Sequence, residues 1–107
     1  MSATDQSRSI VRINVVRFAD FQIRTIYRNA FIAWTGGNCR AWRIPVRERS
    51  GAYILVTETD AANLPNDSDT EVDLGYYSHR EDEGSVHTVQ VSDLKNAIDS
   101  FMRRNTP

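Results

Sequence analysis

The chain has few residues that could supply nucleophilic or metal chemistry. It contains one cysteine, Cys39, and two histidines, His79 and His87, whereas nucleophilic catalysis needs an activated thiol or hydroxyl beside a base. Nothing in the spacing of Cys39 and His87 shows that their side chains meet, so we interpret Cys39 as a small buried thiol and His87 as a structural strand histidine. One cysteine and two histidines do not supply the four ligands of a zinc finger. We therefore predict no catalytic residue, no metal site and no cofactor.

A run of alternating carboxylates from Asp67 to Asp73 is the other pattern with chemical potential. Oxygen ligands at alternate positions can converge on a hard cation. The run lacks the glycine at the sixth position and the glutamate at the twelfth of a calcium loop, where Val72 and Ser78 stand. We interpret the alternation as the solvent face of a strand. The glycine pair at 36–37 lacks the further glycine and the lysine of a phosphate-binding loop, and we expect a protein that is not an enzyme.

Charge is distributed unevenly along the chain. Residues 1–50 hold nine arginines against three carboxylates, a charge of +6, and residues 51–107 hold four basic residues against eleven carboxylates, a charge of −7. Nine of those carboxylates lie between Glu58 and Glu83. An exposed segment of this kind produces a negative field that steers a basic partner. The simpler alternative is that these acids solvate the domain and pair with its own arginines.

Protein recognition through this acidic segment is the leading functional prediction. Carboxylates along loops and strand faces imitate a row of phosphates, so such a surface docks on a basic patch of a protein or nucleoprotein complex, with tyrosine as an aromatic anchor. In size and charge pattern alone, the chain resembles the small inhibitors of phages and mobile elements, anti-CRISPR proteins among them, and toxin-neutralising immunity proteins. The resemblance implies an inhibitor of a nucleic-acid-handling protein or, as a further alternative, an immunity protein, and it transfers no functional residue. The predicted partner-binding residues are Glu58, Asp60, Asp67, Asp69, Glu71, Asp73, Tyr77, Glu81, Asp82 and Glu83.

Direct nucleic-acid binding through the arginine-rich segment 40–49 is the alternative function. Arginines neutralise phosphates, and Trp42 offers a ring on which a base stacks. Trp42 shares its predicted face with Ile44 and Val46, however, which favours a core position, and a net charge of −1 is atypical of nucleic-acid-binding domains. The predicted contacts of this alternative are Arg24, Arg28, Arg40, Arg43, Arg47 and Arg49.

A hairpin between Arg40 and Thr57 is the predicted centre of the fold. Trp42, Ile44 and Val46 alternate with other residues, and residues 53–56 form a short unbroken apolar run, so we predict two strands paired across the turn at 48–51. A loop over residues 59–69 precedes a second predicted pair of strands over 72–76 and 86–91, joined by a charged turn at 79–84.

Helices are predicted at two places. Ser92 is the predicted N-cap of a closing helix, whose buried stripe comprises Leu94, Ile98, Phe101 and Met102. Residues 9–18 are rich in β-branched side chains and predict a strand. From Asp20 to Thr35 apolar residues recur at helical spacing, with Asp20 as a cap. The alternative for residues 30–34 is a strand that returns through a turn at 35–38 onto residues 39–44.

These elements predict a single α+β domain, with a largely antiparallel sheet of about five strands and two helices packed on one face. We place the domain at residues 9–107 after a flexible tail at 1–8. No apolar run approaches the roughly 20 residues that span a bilayer, and one cysteine agrees with a reducing compartment, so we expect a cytoplasmic protein. Exposed strand edges make a homodimer an open alternative.

Overall fold

The computed structural model describes residues 15–46, 51–60, 62–78 and 84–104. It contains a five-stranded sheet, a bent pair of short helices and one long C-terminal helix, and it confirms the predicted α+β class. The helices are α1 (Phe18–Phe21), α2 (Ile23–Ile26) and α3 (Val91–Arg104), and the strands are β1 (Phe31–Gly36), β2 (Cys39–Pro45), β3 (Tyr53–Thr57), β4 (Glu71–Tyr77) and β5 (Ser85–Gln90).

The sheet is an antiparallel meander in the order β1-β2-β3-β4-β5, so each strand pairs with its neighbour in sequence. The predicted hairpin is its centre, with Ile44 opposite Ile54. The predicted second strand pair also forms, with Leu74 opposite His87. Because the order has no crossover, β1 and β5 are left as its two edges.

The helices cover one face of the sheet, where the core lies. Ile44, Ile54 and Leu74 point to this face, and Leu94 and Ile98 of α3 pack against them with none of their surface exposed. Phe18, Phe21 and Ile23 from the bent pair α1–α2 complete the cluster. Burial of this stripe holds α3 on the sheet, since an amphipathic helix gains most of its stability from its packed face.

The N-terminal half corrects two predictions. Residues 15–17 have no regular structure and α1 begins at Phe18, so the strand predicted over 9–18 is wrong at its described end, and residues 9–14 lie outside the described residues. The helix predicted from Asp20 to Thr35 is interrupted at Gln22, which takes a left-handed conformation (φ 53°). It ends at Ile26, because the backbone of Tyr27 is extended. The alternative strand over 30–34 is the one that forms, and Gly37 (φ 54°) makes the turn onto β2.

Capping predictions are also corrected. Asp20 lies inside α1, where its carboxylate accepts a hydrogen bond from the backbone N–H of Arg17 at 3.3 Å. Helix α3 begins at Val91, one residue before the predicted cap Ser92, and the Val91 N–H donates to the Thr70 carbonyl at 2.8 Å. The predicted stripe of α3 is confirmed, with Leu94 and Ile98 fully buried and Phe101 and Met102 partly buried.

Across the part of the chain that the structure describes, no helix has both the length and the apolar composition needed to cross a bilayer.

Candidate functional site

Six of the predicted acidic residues lie at one end of the sheet. Thr57, the last residue of β3, pairs with Asp73 near the start of β4, so the loop between these strands and the first residues of β4 share this end. We name it the acidic end and define it by Glu58, Asp60, Asp67, Asp69, Glu71 and Asp73.

Backbone hydrogen bonds hold the loop of the acidic end in place. Phe18 and Ala19 donate their N–H groups to the carbonyls of Asp69 and Asp67 at 2.7 and 3.0 Å. The Asp69 carboxylate accepts the Asn66 N–H at 2.9 Å, which closes a local turn. These bonds hold the backbone of residues 66–69 against α1.

The strand carboxylates of the acidic end accept hydrogen bonds from the edge strand β5. The Thr88 hydroxyl donates to Asp73 at 2.7 Å, and the Gln90 amide donates to Glu71 at 3.0 Å. Both donors are neutral, so these bonds orient the carboxylates without cancelling their charge.

No described basic side chain forms an ion pair with the acidic end. Within the described ranges, the ion pair present is Lys95 with Asp99 at 2.6 Å, on α3. Arg40 lies at the same end of the sheet, but its guanidinium sits 5.6 Å from the ring centroid of Trp34. The described residues therefore do not show the alternative, in which these acids pair with the protein's own arginines.

The remaining predicted acidic-surface residues are not gathered there. Tyr77 is the last residue of β4, six positions from Glu71 and hence roughly 20 Å along the strand. Glu81, Asp82 and Glu83 lie outside the described residues.

The arginines predicted for nucleic-acid binding are spread over the molecule. Arg40 and Arg43 are three residues apart on β2 and so point to opposite faces of the sheet. Arg24 lies on α2, with its guanidinium 5.2 Å from the centroid of Trp42, and Arg28 is exposed in the turn before β1. Arg47 and Arg49 lie outside the described residues. The uneven distribution of charge along the chain therefore does not gather the described arginines into a basic patch.

The face of the sheet opposite the helices is a surface that sequence reasoning missed. One row of register partners crosses all five strands, from Phe31 through Arg43, Leu55 and Gly75 to Val86. Phe31 and Val86 expose 43% and 56% of their surface. We call this surface the open face and define it by Phe31, Arg43, Tyr53, Leu55, Asp73, Gly75, Tyr77 and Val86.

Stacked side chains cover part of the open face. The Arg43 guanidinium lies 3.8 Å from the ring centroid of Tyr53, and the rings of Tyr53 and Tyr77 stack at 5.1 Å. A Cβ at Gly75 would lie 2.9 Å from the Tyr77 ring, and one at Gly84 would lie 2.5 Å from it. The two glycines therefore let this ring lie flat on the sheet.

Two shallow depressions occupy the open face, with volumes of about 380 and 230 Å³. Leu55 and Tyr77 line both, Arg43 lines the larger and Asp73 the smaller. In the described part of the chain, no three His, Cys, Asp or Glu side chains converge as metal ligands would.

The strongly perturbed ionisable pair, Tyr27 and Asp99, lies apart from both surfaces. The Tyr27 hydroxyl donates to the Asp99 carboxylate at 2.7 Å. Burial, together with this hydrogen bond and the negative charge of Asp99, raises the pKa of Tyr27 well above 10.0. Burial opposes ionisation of Asp99, but hydrogen bonds from Lys95 and Tyr27 and the charges of Lys95 and Arg103 outweigh it and lower its pKa. The pair joins the N-terminal segment to α3.

Compared with known proteins, the chain matches no protein-family model, no curated sequence and no solved structure at a significant level.

Proposed function

We propose that this chain is a non-enzymatic, cytoplasmic binding protein whose acidic end docks on an arginine- and lysine-rich patch of a protein or nucleoprotein complex. One observation carries the proposal: six carboxylates share one end of the sheet, and no described basic side chain is ion-paired with any of them. Such a surface keeps its full charge for a partner, and complementary charge raises the rate of encounter.

The anchored loop strengthens the proposal. Because α1 and the turn at Asn66 already fix the backbone, the loop loses little conformational entropy when a partner binds. A fixed set of carboxylates also discriminates between partners, since arginine side chains must match it in position as well as in sign.

We propose that docking of the acidic end inhibits a nucleic-acid-handling protein. Carboxylates at a spacing similar to that of phosphates compete with nucleic acid for a basic patch that binds phosphates. An immunity protein that covers the basic site of a toxin would act by the same docking. The identity of the partner distinguishes the two, and affinity capture followed by mass spectrometry supplies it.

The test neutralises carboxylates that do not hold the loop together. We choose Glu58→Gln, Asp60→Asn, Asp67→Asn and Glu71→Gln in one variant, which keeps Asp69 for its turn and Asp73 for Thr88. Four exposed charge pairs worth roughly 0.2–1 kcal/mol each predict a loss of about 1–4 kcal/mol of binding free energy. NMR titration with an oligoarginine peptide, and capture of the natural partner, measure it.

A matched control changes exposed charge elsewhere. Arg103→Gln with Arg104→Gln alters two exposed residues at the end of α3 and should leave binding unchanged. Undiminished binding by the folded quadruple variant would refute the acidic end as the interface. A salt-dependent mobility shift with short RNA or DNA, abolished by Arg43→Glu, would instead support nucleic-acid binding.

A further inference from the structure

The open face has a composition that water does not favour. An antiparallel sheet with one solvated face normally alternates apolar residues inward and polar residues outward. Here β3 reads Tyr-Ile-Leu-Val-Thr, and its outward positions hold Tyr53, Leu55 and Thr57 rather than charged side chains. Phe31 and Val86 add exposed apolar side chains at the two edges of the sheet, and exposed apolar side chains grouped on one face mark an interaction site.

Charges of both signs also lie on the open face, on different strands. Arg43 is on β2, and Asp73 is on β4. Two strand spacings separate these strands, roughly 9.5 Å, and the two residues form no ion pair within one copy. A partner surface that pairs with both charges must carry a carboxylate opposite Arg43 and a cation opposite Asp73, with apolar side chains between the two.

A second copy of this chain carries that arrangement. We propose that the open face is the interface of a symmetric homodimer, in which two sheets pack face to face and Arg43 of each copy lies against Asp73 of the other. A twofold contact repeats every pairing, so one complementary pair is formed twice. Packed sheets of this kind bury their facing side chains in a layer about 10 Å thick.

The open face is preorganised for such packing. The stack of Arg43, Tyr53 and Tyr77 is already ordered, so these side chains lose little rotamer entropy in the interface. The loop of the acidic end borders the open face, where its Ala62 lines the smaller depression. The dimer would therefore carry two such loops, which raises its avidity for a repeated basic partner.

The first experiment measures mass against concentration by sedimentation velocity, with the full chain. Val86→Lys should weaken the dimer about tenfold or more, because it places an unpaired charge on the part of the open face that β5 contributes to the interface. Val15→Lys is the matched control, since Val15 exposes 62% of its surface against 56% for Val86 but lies in the segment before α1. The control should dimerise as the unchanged chain does.

The second experiment is a charge exchange. Arg43→Glu alone and Asp73→Arg alone should each weaken self-association, since like charges then face each other twice. An equal mixture of the two variants should form heterodimers, because the carboxylate introduced at position 43 of one copy meets the guanidinium introduced at position 73 of the other, and the unchanged pair survives. The double variant should also regain the homodimer. Thermal denaturation of each single variant shows whether it folds.

Several results would overturn the proposal. One is sedimentation of the unchanged chain as a monomer at every concentration up to those used for NMR. Another is failure of the two single variants to associate with each other while each remains folded. A dimer that Val86→Lys leaves intact would place the interface elsewhere, as would binding of single-stranded RNA or DNA to the open face of single copies. Asp73 belongs to both surfaces, but the acidic-end variant keeps it. Loss of oligoarginine binding in that variant is therefore compatible with an intact dimer, and the two proposals fail separately.

Discussion

At the scale of single residues, Tyr27 and Asp99 join the N-terminal segment to α3 by a hydrogen bond of 2.7 Å. Tyr27→Phe removes the donor and leaves the ring in the core. Hydrogen bonds to charged groups contribute roughly 1.5–3 kcal/mol, and this carboxylate is only partly buried, so we expect a loss of about 1.5 kcal/mol in the free energy of unfolding. Urea denaturation measures it, and Tyr53→Phe, outside this pair, is the control.

The same pair predicts how stability depends on pH. The folded pKa of Asp99 lies below its unfolded value of 3.8, so its stabilisation is present above that value and is lost as the pH falls through the folded pKa. The folded pKa of Tyr27 lies above 10.0, so its stabilisation is present below pH 10.0 and declines as the pH rises further. Tyr27→Phe should raise the pKa of Asp99 in an NMR titration. An unchanged Asp99 pKa would contradict the role given to this hydrogen bond.

At the scale of elements, Gly84 allows the chain that leads into β5 to approach β4 closely, and Gly75 leaves room for the Tyr77 ring. A Cβ at Gly84 would lie 2.5 Å from the carbonyl oxygen of Tyr76, which is backbone, whereas one at Gly75 meets only the ring of Tyr77. We expect Gly84→Ala to destabilise the protein by about 1–3 kcal/mol. Gly75→Ala should cost less and instead displace the Tyr77 ring. Chemical denaturation and the ring-current shifts of Tyr53 measure the two effects, and equal destabilisation would contradict the distinction.

The sequence predicts elements well where a segment has one way to bury its apolar residues. Leu94 and Ile98 recur at helical spacing with charged residues between them, and α3 forms where expected. Residues 30–34 fit a helical stripe and a strand equally, and local periodicity does not decide between them. Pairing with β2 decides it, since Phe31 and Ala33 find register partners in Arg43 and Ala41.

At the scale of the whole molecule, the two surfaces differ in how far the sequence predicts them. The acidic end follows from charge density in a loop, because a turn-rich acidic segment is exposed in almost any fold. The open face depends on which side of β3 the helices cover, which is a tertiary property. Its signal was the unbroken apolar run at 53–56, typical of a strand buried on both faces. The spread of Arg40 and Arg43 over opposite faces follows from their odd spacing once β2 is a strand.

Salt should separate the two surfaces in one set of measurements. The charges of the acidic end act through solvent, and the Debye length falls from about 10 Å at 0.1 M salt to about 3 Å at 1 M, so oligoarginine binding should weaken steeply. The proposed dimer would depend mainly on apolar burial around Leu55 and Val86, which salt does not screen, so its dissociation constant should change little. Titration and sedimentation at both salt concentrations measure this. Parallel weakening of both would mean that one charged surface serves both contacts.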